Sequence, residues 1–132
     1  MSDDDLNDDI PTPGGELALQ TIAMPADTNA NGDIFGGWLV SQMDLAAAIT
    51  ALKVVQGRIA TVAIDSMAFL TPVHVGAVVS CYTNILEVCR SSIRVKVEVW
   101  IKHKKTYELA KVTEGEFVFV AINDDGRPRV IK

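Results

Sequence analysis

The chain is poor in cysteine and histidine, has no basic run, and carries almost no charge in its most apolar stretch. Cys81 and Cys89 stand eight positions apart, with no Cys-x-x-Cys pair and no histidine at ligand spacing. This leaves no case for a disulfide framework or a zinc site, so both read as free, buried thiols and no metal is expected. His74 and His103 fall in or beside turns and are assigned no role. No basic stripe interleaved with aromatics is present, and the pI is near 4.9, which argues against a nucleic-acid partner. The first ten residues hold neither a basic n-region nor an apolar h-region, so no export or transit segment is expected and the cytoplasm is the default location.

What is present is one domain's worth of chain: 132 residues, 48% of them apolar. The formal charge is −5. Asp3, Asp4, Asp5, Asp8 and Asp9 account for that excess, leaving 12 acidic against 12 basic residues in a neutral body. Residues 1–15 are Asp-rich and end in Pro11-Thr12-Pro13-Gly14-Gly15, which predicts a disordered acidic tail followed by a single domain over 16–132.

Leu17 to Ala23 reads as a first strand, and Met24 to Gly32 as a turn-rich loop. From Trp38 to about Val55 there is no Gly or Pro, Ala and Leu abound, and apolar residues cover nearly the whole helical circumference. That pattern predicts a helix buried on most sides. The apolar run from Ile34 to Leu52 is long enough to raise the question of a membrane span, but Gly36, Gly37, Ser41, Gln42, Asp44 and Thr50 interrupt it. A buried helix, with no membrane, is the better reading.

Four strands are predicted after Gly57: Ile59 to Leu70, Ala77 to Val88, Ile93 to Lys102 and Tyr107 to Ile122. Ile93, Val95, Val97, Val99 and Ile101 alternate with Arg94, Lys96, Glu98 and Trp100, the period of a strand with one buried face. Apolar parity switches around Asp65-Ser66, which predicts a bulge or bend there. One long helix and about five consecutive strands give an α+β class, an antiparallel sheet of five or six strands wrapped around the helix. A single sheet cannot enclose such a helix, so a dimer that closes the cover is expected.

Asp44 is the only ionisable residue from Ile34 to Leu52. Burying a carboxylate costs several kcal/mol unless it is paired, hydrogen-bonded or protonated, so Asp44 reads as the catalytic residue. Gly36 and Gly37 fall where the unpaired N–H groups of a helix start point outward, and their missing Cβ atoms admit a close approach. Asp33 reads as a turn or helix-entry residue.

The run Asp27-Thr28-Asn29-Ala30-Asn31-Gly32-Asp33-Ile34-Phe35-Gly36-Gly37-Trp38 resembles the hotdog-fold acyl-CoA thioesterases, most closely the bacterial YciA type. Leu19 to Pro25, Ser41-Gln42-Met43-Asp44, Gly57-Arg58, Arg90-Ser91-Ser92, Val95 to Trp100, Val112-Thr113 and Phe117 to Ala121 share in the likeness. It covers nearly everything after the tail. The resemblance implies a hotdog fold, a dimer often assembled as a trimer of dimers, and hydrolysis of acyl-CoA to free acid and CoA without a separate cofactor. It also implies a site at the dimer interface that joins the helix start of one subunit to the carboxylate of the other. There are departures: Ala68 stands where similar proteins commonly have Asn, Gly76-Ala77 replaces a usual Gly-Asp turn, and the segment 103–108 is short.

Thioester hydrolysis needs an activated water or a nucleophile, and donors aimed at the oxygen that becomes negative. Asp44 serves as general base or attacks directly, and the Gly37 N–H polarises the carbonyl. In one chain these groups lie about 10 Å apart along the helix axis. Asn29 is expected to orient water or thioester, and Thr61 to bond Asp44. Arg90, Ser91 and Ser92 offer a guanidinium, hydroxyls and turn amides to the CoA phosphates. Lys102, Lys104, Lys105, Arg127 and Arg129 are candidate helpers, with a solvated charged edge the better reading for each. Two other readings remain: a hotdog hydratase or dehydratase, whose relatives pair an acid with a histidine absent from this motif, and a non-catalytic acyl-CoA sensor, for which the neutral body leaves little room.

Overall fold

The computed structural model describes residues 12–103 and 105–131; of the tail expected over residues 1–15, residues 1–11 lie outside them, while residues 12–15 are described and the Gly14 N–H bonds Glu98. β1 (Glu16–Ile22) leads through a short 3-10 turn into α1 (Gly36–Ala51), followed by β2 (Ile59–Phe69), β3 (Val78–Val88), β4 (Ser92–Lys102) and β5 (Leu109–Ala121). The strands form one antiparallel sheet in the order β1-β3-β4-β5-β2. The chain leaves β1 at one edge, crosses the sheet as α1 and rejoins it as β2 at the other edge. This is the α+β arrangement expected, with five strands.

The core lies between sheet and helix. Ile93, Val95, Val97 and Val99 turn inward and are no more than 1% exposed, beside Phe117 and Phe119 of β5. α1 meets them with Leu39, Met43, Ala46, Ala47 and Ala51. Small alanines let the helix sit close to a sheet of β-branched residues. On the outer face the alternation fails locally: Glu98 and Trp100 are buried as well. The segment entering β1 covers them, with the Gly14 N–H donating to Glu98 Oε2 at 3.1 Å and Trp100 Nε1 to Oε1 at 3.3 Å. Gly15 makes that path passable, since at φ +99° a Cβ there would stand 2.3 Å from the Thr83 carbonyl oxygen.

Element ends differ from the sequence reading for local reasons. Gly36 and Gly37 already belong to α1. At its other end the last turn tightens, the Val54 and Val55 N–H groups both donating to the Ala51 carbonyl before Gly57 turns at φ +92°. β5 starts at Leu109 because Tyr107, at φ 60°, still belongs to the turn and donates its N–H to the His103 carbonyl. The bend expected at Asp65-Ser66 is present: the β2–β5 register slips between Asp65 and Ala68, and Ser66 has φ 60°.

α1 is not covered all round. Its buried residues lie on one side, while Leu45, Ile49 and Leu52 are 54%, 40% and 49% exposed. β2, the sheet edge beside that flank, also exposes Val62 and Ile64. Among the described residues, no helix is long and apolar enough to cross a membrane.

Candidate active site

The loop before α1 is held by its own polar groups. Asn29 Oδ1 accepts the N–H groups of Asn31 and Asp33 at 2.9 and 3.1 Å, and the Asn29 N–H donates to the Asp33 carbonyl at 2.7 Å. The Ile34 N–H donates to Val73 and that of Phe35 to Asp27, both at 3.0 Å, which fixes the angle at which the chain enters the helix. The oxygen of Asn29 is therefore committed to the loop, and only its NH₂ can face a ligand.

Phe35 precedes the helix without a side-chain cap, and the first turn contains no acidic residue. Among the described residues, the N–H groups of Gly36 and Gly37 have no hydrogen-bond partner. They sit at the positive end of the helix dipole, where a developing negative charge is favoured. A Cβ on Gly36 would meet the Phe69 ring at 3.5 Å, whereas one on Gly37 would meet nothing within 4 Å. The open side is thus at Gly37. Beside it lies a cavity of about 310 Å³ whose walls include Ile34, Gly36, Leu39, Phe69 and Val73.

Asp44 follows two turns later, seven residues on and close to the same helix face as Gly37. It is half-buried rather than buried, because it stands at the margin of the flank that the sheet leaves open. Thr61 of β2 donates its hydroxyl to Asp44 Oδ1 at 2.7 Å, the contact anticipated from the sequence. Among the described residues no cation pairs with Asp44. The carboxylate is therefore oriented by the Thr61 hydroxyl.

The structure does not bring the remaining candidates to this place. Arg90, Ser91 and Ser92 turn the chain from β3 to β4. The Ala121 N–H donates to the Ser91 carbonyl at 2.9 Å, and Ala121 pairs with Ile59 at the start of β2. Gly36 touches Phe69 at the other end of β2, so within one chain the Arg90 turn and the helix start sit about 30 Å apart along that strand. Arg90 itself is exposed and, among the described residues, has no carboxylate partner. Arg129 is committed elsewhere, its guanidinium donating to the carbonyls of Ile122 and Gln56 at the helix exit. Lys104 lies outside the described residues.

Sequence reasoning missed two features. His74 Nδ1 stands 3.4 Å from Asp33 Oδ1, and the two residues also form a backbone bridge that ties the helix-entry loop to the turn before β3. On the outer face, Lys111 lies between Glu98 and Glu114, with Lys96 on the far side of Glu114, and Arg94 reaches Asp65 and Glu116. The hydrogen bond to Glu114 holds the Lys111 ammonium above its ordinary range despite some desolvation, and hydrogen bonds from Lys111 and Lys96 hold Glu114 below its own. Cross-strand register creates these contacts, and no local spacing announces them. Cys81 is inert packing, its thiol pushed up to about 12 by burial. Among the described residues, no group of His, Cys, Asp and Glu could hold a metal ion.

The profile of the Thioesterase superfamily matches residues 31–108. The acyl-CoA thioester hydrolase YciA of Salmonella typhimurium is 51% identical over 121 residues, covering 89% of this chain and 91% of the relative. Among solved structures, the hexameric broad specificity acyl-coenzyme A thioesterase HI0827 superposes with a TM-score of 0.87 at 51% identity, covering 92% of this chain and 84% of that one. The hexameric thioesterase y2039 from Yersinia pestis gives 0.86 at 53% identity, with 92% and 98% covered. A hotdog sheet around one helix, the unpaired glycine amides at the helix start and these matches agree: the chain belongs to the thioesterase superfamily.

Proposed function

We propose that this protein is a cytoplasmic acyl-CoA thioesterase that hydrolyses acyl-CoA to a free carboxylic acid and CoA, without a cofactor. The observation that carries the reading is the helix itself: two unpartnered glycine amides at its positive end, and its only ionisable side chain, Asp44, on the flank that the sheet leaves open. The similar proteins named above are acyl-CoA thioester hydrolases and hexameric thioesterases, which supports both the chemistry and self-association.

The separation of Gly37 from Asp44 sets the assembly. A two-fold axis passing near Val40 and Ser41 runs the helices of two chains antiparallel, and puts Gly37 of one chain level with the partner's Asp44. Gly37, Ser41, Asp44 and Ala48 recur at helical spacing along the open flank, so small residues line the proposed contact. Leu45 and Ile49 lose their exposure there. Three such dimers make the hexamer. Each site then takes its oxyanion donor from one chain and its base from the other.

In this site the thioester carbonyl oxygen accepts the Gly37 N–H, while Gly36 allows the acyl chain to pass toward the cavity beside Phe69. Asp44, held by the Thr61 hydroxyl, removes a proton from water as its oxygen adds to the carbonyl carbon. The tetrahedral oxyanion is stabilised at the helix start, then collapses and expels the CoA thiolate, which takes the proton back from Asp44. Direct attack by Asp44, with hydrolysis of the resulting anhydride, uses the same groups. The Asn29 NH₂ orients the water or the thioester, and Arg90, Ser91 and Ser92, from whichever chain reaches them, hold CoA phosphates.

The test is release of free CoA thiol from acyl-CoAs of increasing chain length by the wild type and by Asp44→Asn, with folding of both verified. We expect hydrolysis by the wild type and a loss of at least about 100-fold in the variant. Binding of acyl-CoA without thiol release would sink the proposal and favour a sensor or a hydratase.

A further inference from the structure

β2 is interrupted on its way to the helix start. Asp65 pairs with Glu116 and Ala68 with Glu114, so Ser66 and Met67 together oppose the single residue Gly115, the arrangement of a β-bulge. Ser66 takes φ 60°, a conformation disfavoured for any residue with a Cβ and kept where the surroundings fix it. Directly paired residues share a face of the sheet. Ile64 pairs with Phe117 on the buried face, and counting on by twos from Ile64 would turn Ala68 inward. The extra residue reverses this: Phe69, paired with Thr113, faces the helix side, and Ala68, paired with Glu114, faces out.

The bulge is held in place from β5. Gly115 lies in a strand interior, where glycine marks a bulge or a close approach, and a Cβ there would stand 2.8 Å from Met67 Cε and 3.3 Å from its Sδ. The Met67 thioether therefore occupies the space that a side chain on Gly115 would take. Thr113, fully buried, places its Oγ1 2.5 Å from the Ala68 carbonyl oxygen and 3.4 Å from Met67 Sδ. Beyond it the Leu70 N–H donates to the Val112 carbonyl at 2.7 Å, which fixes the strand end that carries Phe69.

Phe69 stands 3.5 Å from the point that a Gly36 Cβ would occupy and forms a wall of the cavity at the helix start, with 51% of its surface still exposed. We infer that Ser66, Met67 and Gly115 are positioning residues for substrate selection: the bulge they form sets Phe69 across the passage beside Gly36 and so limits the length of the acyl chain that the site accepts. They act through Phe69, and the inference rests on the thioesterase function proposed above.

The test is the ratio of kcat/KM for dodecanoyl-CoA to that for butyryl-CoA, taken on one preparation of each full-length variant. A variant that merely loses folded enzyme scales both rates equally and leaves this ratio unmoved. Gly115→Ala puts a methyl group against the Met67 tip, and Ser66→Val places a β-branched residue at φ 60°. Each should free Phe69 from Gly36 and raise the ratio at least about fivefold, as Phe69→Ala should do directly. Ser66→Gly, which adopts the same φ without strain, should keep the wild-type ratio. Gly115→Ala decides alone if Ser66→Val does not fold. An unmoved or lowered ratio in the folded bulge variants overturns the inference, whether or not Phe69→Ala moves it. A wild type that binds both esters but releases no thiol refutes the catalytic reading instead, and the ratio of the two dissociation constants, measured calorimetrically on the same variants, then decides this inference; a wild type that binds neither refutes both.

Discussion

Replacing Gly37 by alanine separates stability from catalysis. Gly36 and Gly37 both have helical backbone and neither has a positive φ. Alanine costs less chain entropy than glycine in a helix, by about 0.5–1 kcal/mol. Within one chain that gain is available sterically at either position: the added carbon meets the Phe69 ring at an ordinary 3.5 Å at Gly36, and nothing within 4 Å at Gly37. Both variants should therefore melt about 2–4 °C higher in calorimetry. Activity should divide them. The free side of Gly37 is where the thioester carbonyl is placed, and a methyl group there displaces the reacting carbon by an ångström or more, costing on the order of 10- to 100-fold in kcat/KM. Gly36→Ala, whose methyl lies on Phe69, should keep most of its rate. A Gly37→Ala enzyme with full kcat/KM would refute the placement of the oxyanion at this amide.

Thr61→Val removes the hydroxyl that holds Asp44 and keeps the strand-forming shape; kcat/KM should fall about tenfold, the worth of one hydrogen bond to a charged group, with Tm nearly unchanged. Ser41→Cys should form an intermolecular disulfide under mild oxidation, visible on non-reducing gels, if the two-fold axis passes where proposed; a persistent monomer would contradict that geometry. Lys111 and Glu114 give a signed pH dependence. Glu114, held below its ordinary 4.5, contributes stability above that value and loses it as pH falls through its lowered pKa, while Lys111, held above 10.5, contributes below that value and loses it as pH rises through its raised pKa. Glu114→Gln should therefore lower Tm across the plateau between them and converge on the wild type in acid, as read from Tm against pH.

The helix and strand content was legible in the residues because each signal is local. The alternation through β4 located the core face, and the parity switch at Asp65-Ser66 located a bulge that Ser66 takes at φ 60°. The Thr61–Asp44 bond was anticipated only alongside the family resemblance, because no local signal brings a strand residue to a helix residue 17 positions earlier. The degree of burial around Asp44 was not, because it depends on which helix flank the sheet covers, a tertiary choice that an all-apolar circumference leaves open. The order β1-β3-β4-β5-β2 escaped for the same reason, and with it the distance between the Arg90 turn and the helix start. The Asp33–His74 contact and the Lys111 network are products of register between segments far apart in the chain.

The shared site is tested most directly by subunit complementation. Asp44→Asn and Gly37→Val chains, each inactive alone, are mixed in equal amounts under conditions that exchange subunits, and thiol release is measured. A heterodimer built as proposed contains one intact site and one doubly damaged site, so random mixing should restore about one quarter of wild-type activity. Mixed oligomers no more active than their parents would place Gly37 and Asp44 in the same chain's site, or outside the chemistry, and contradict the account.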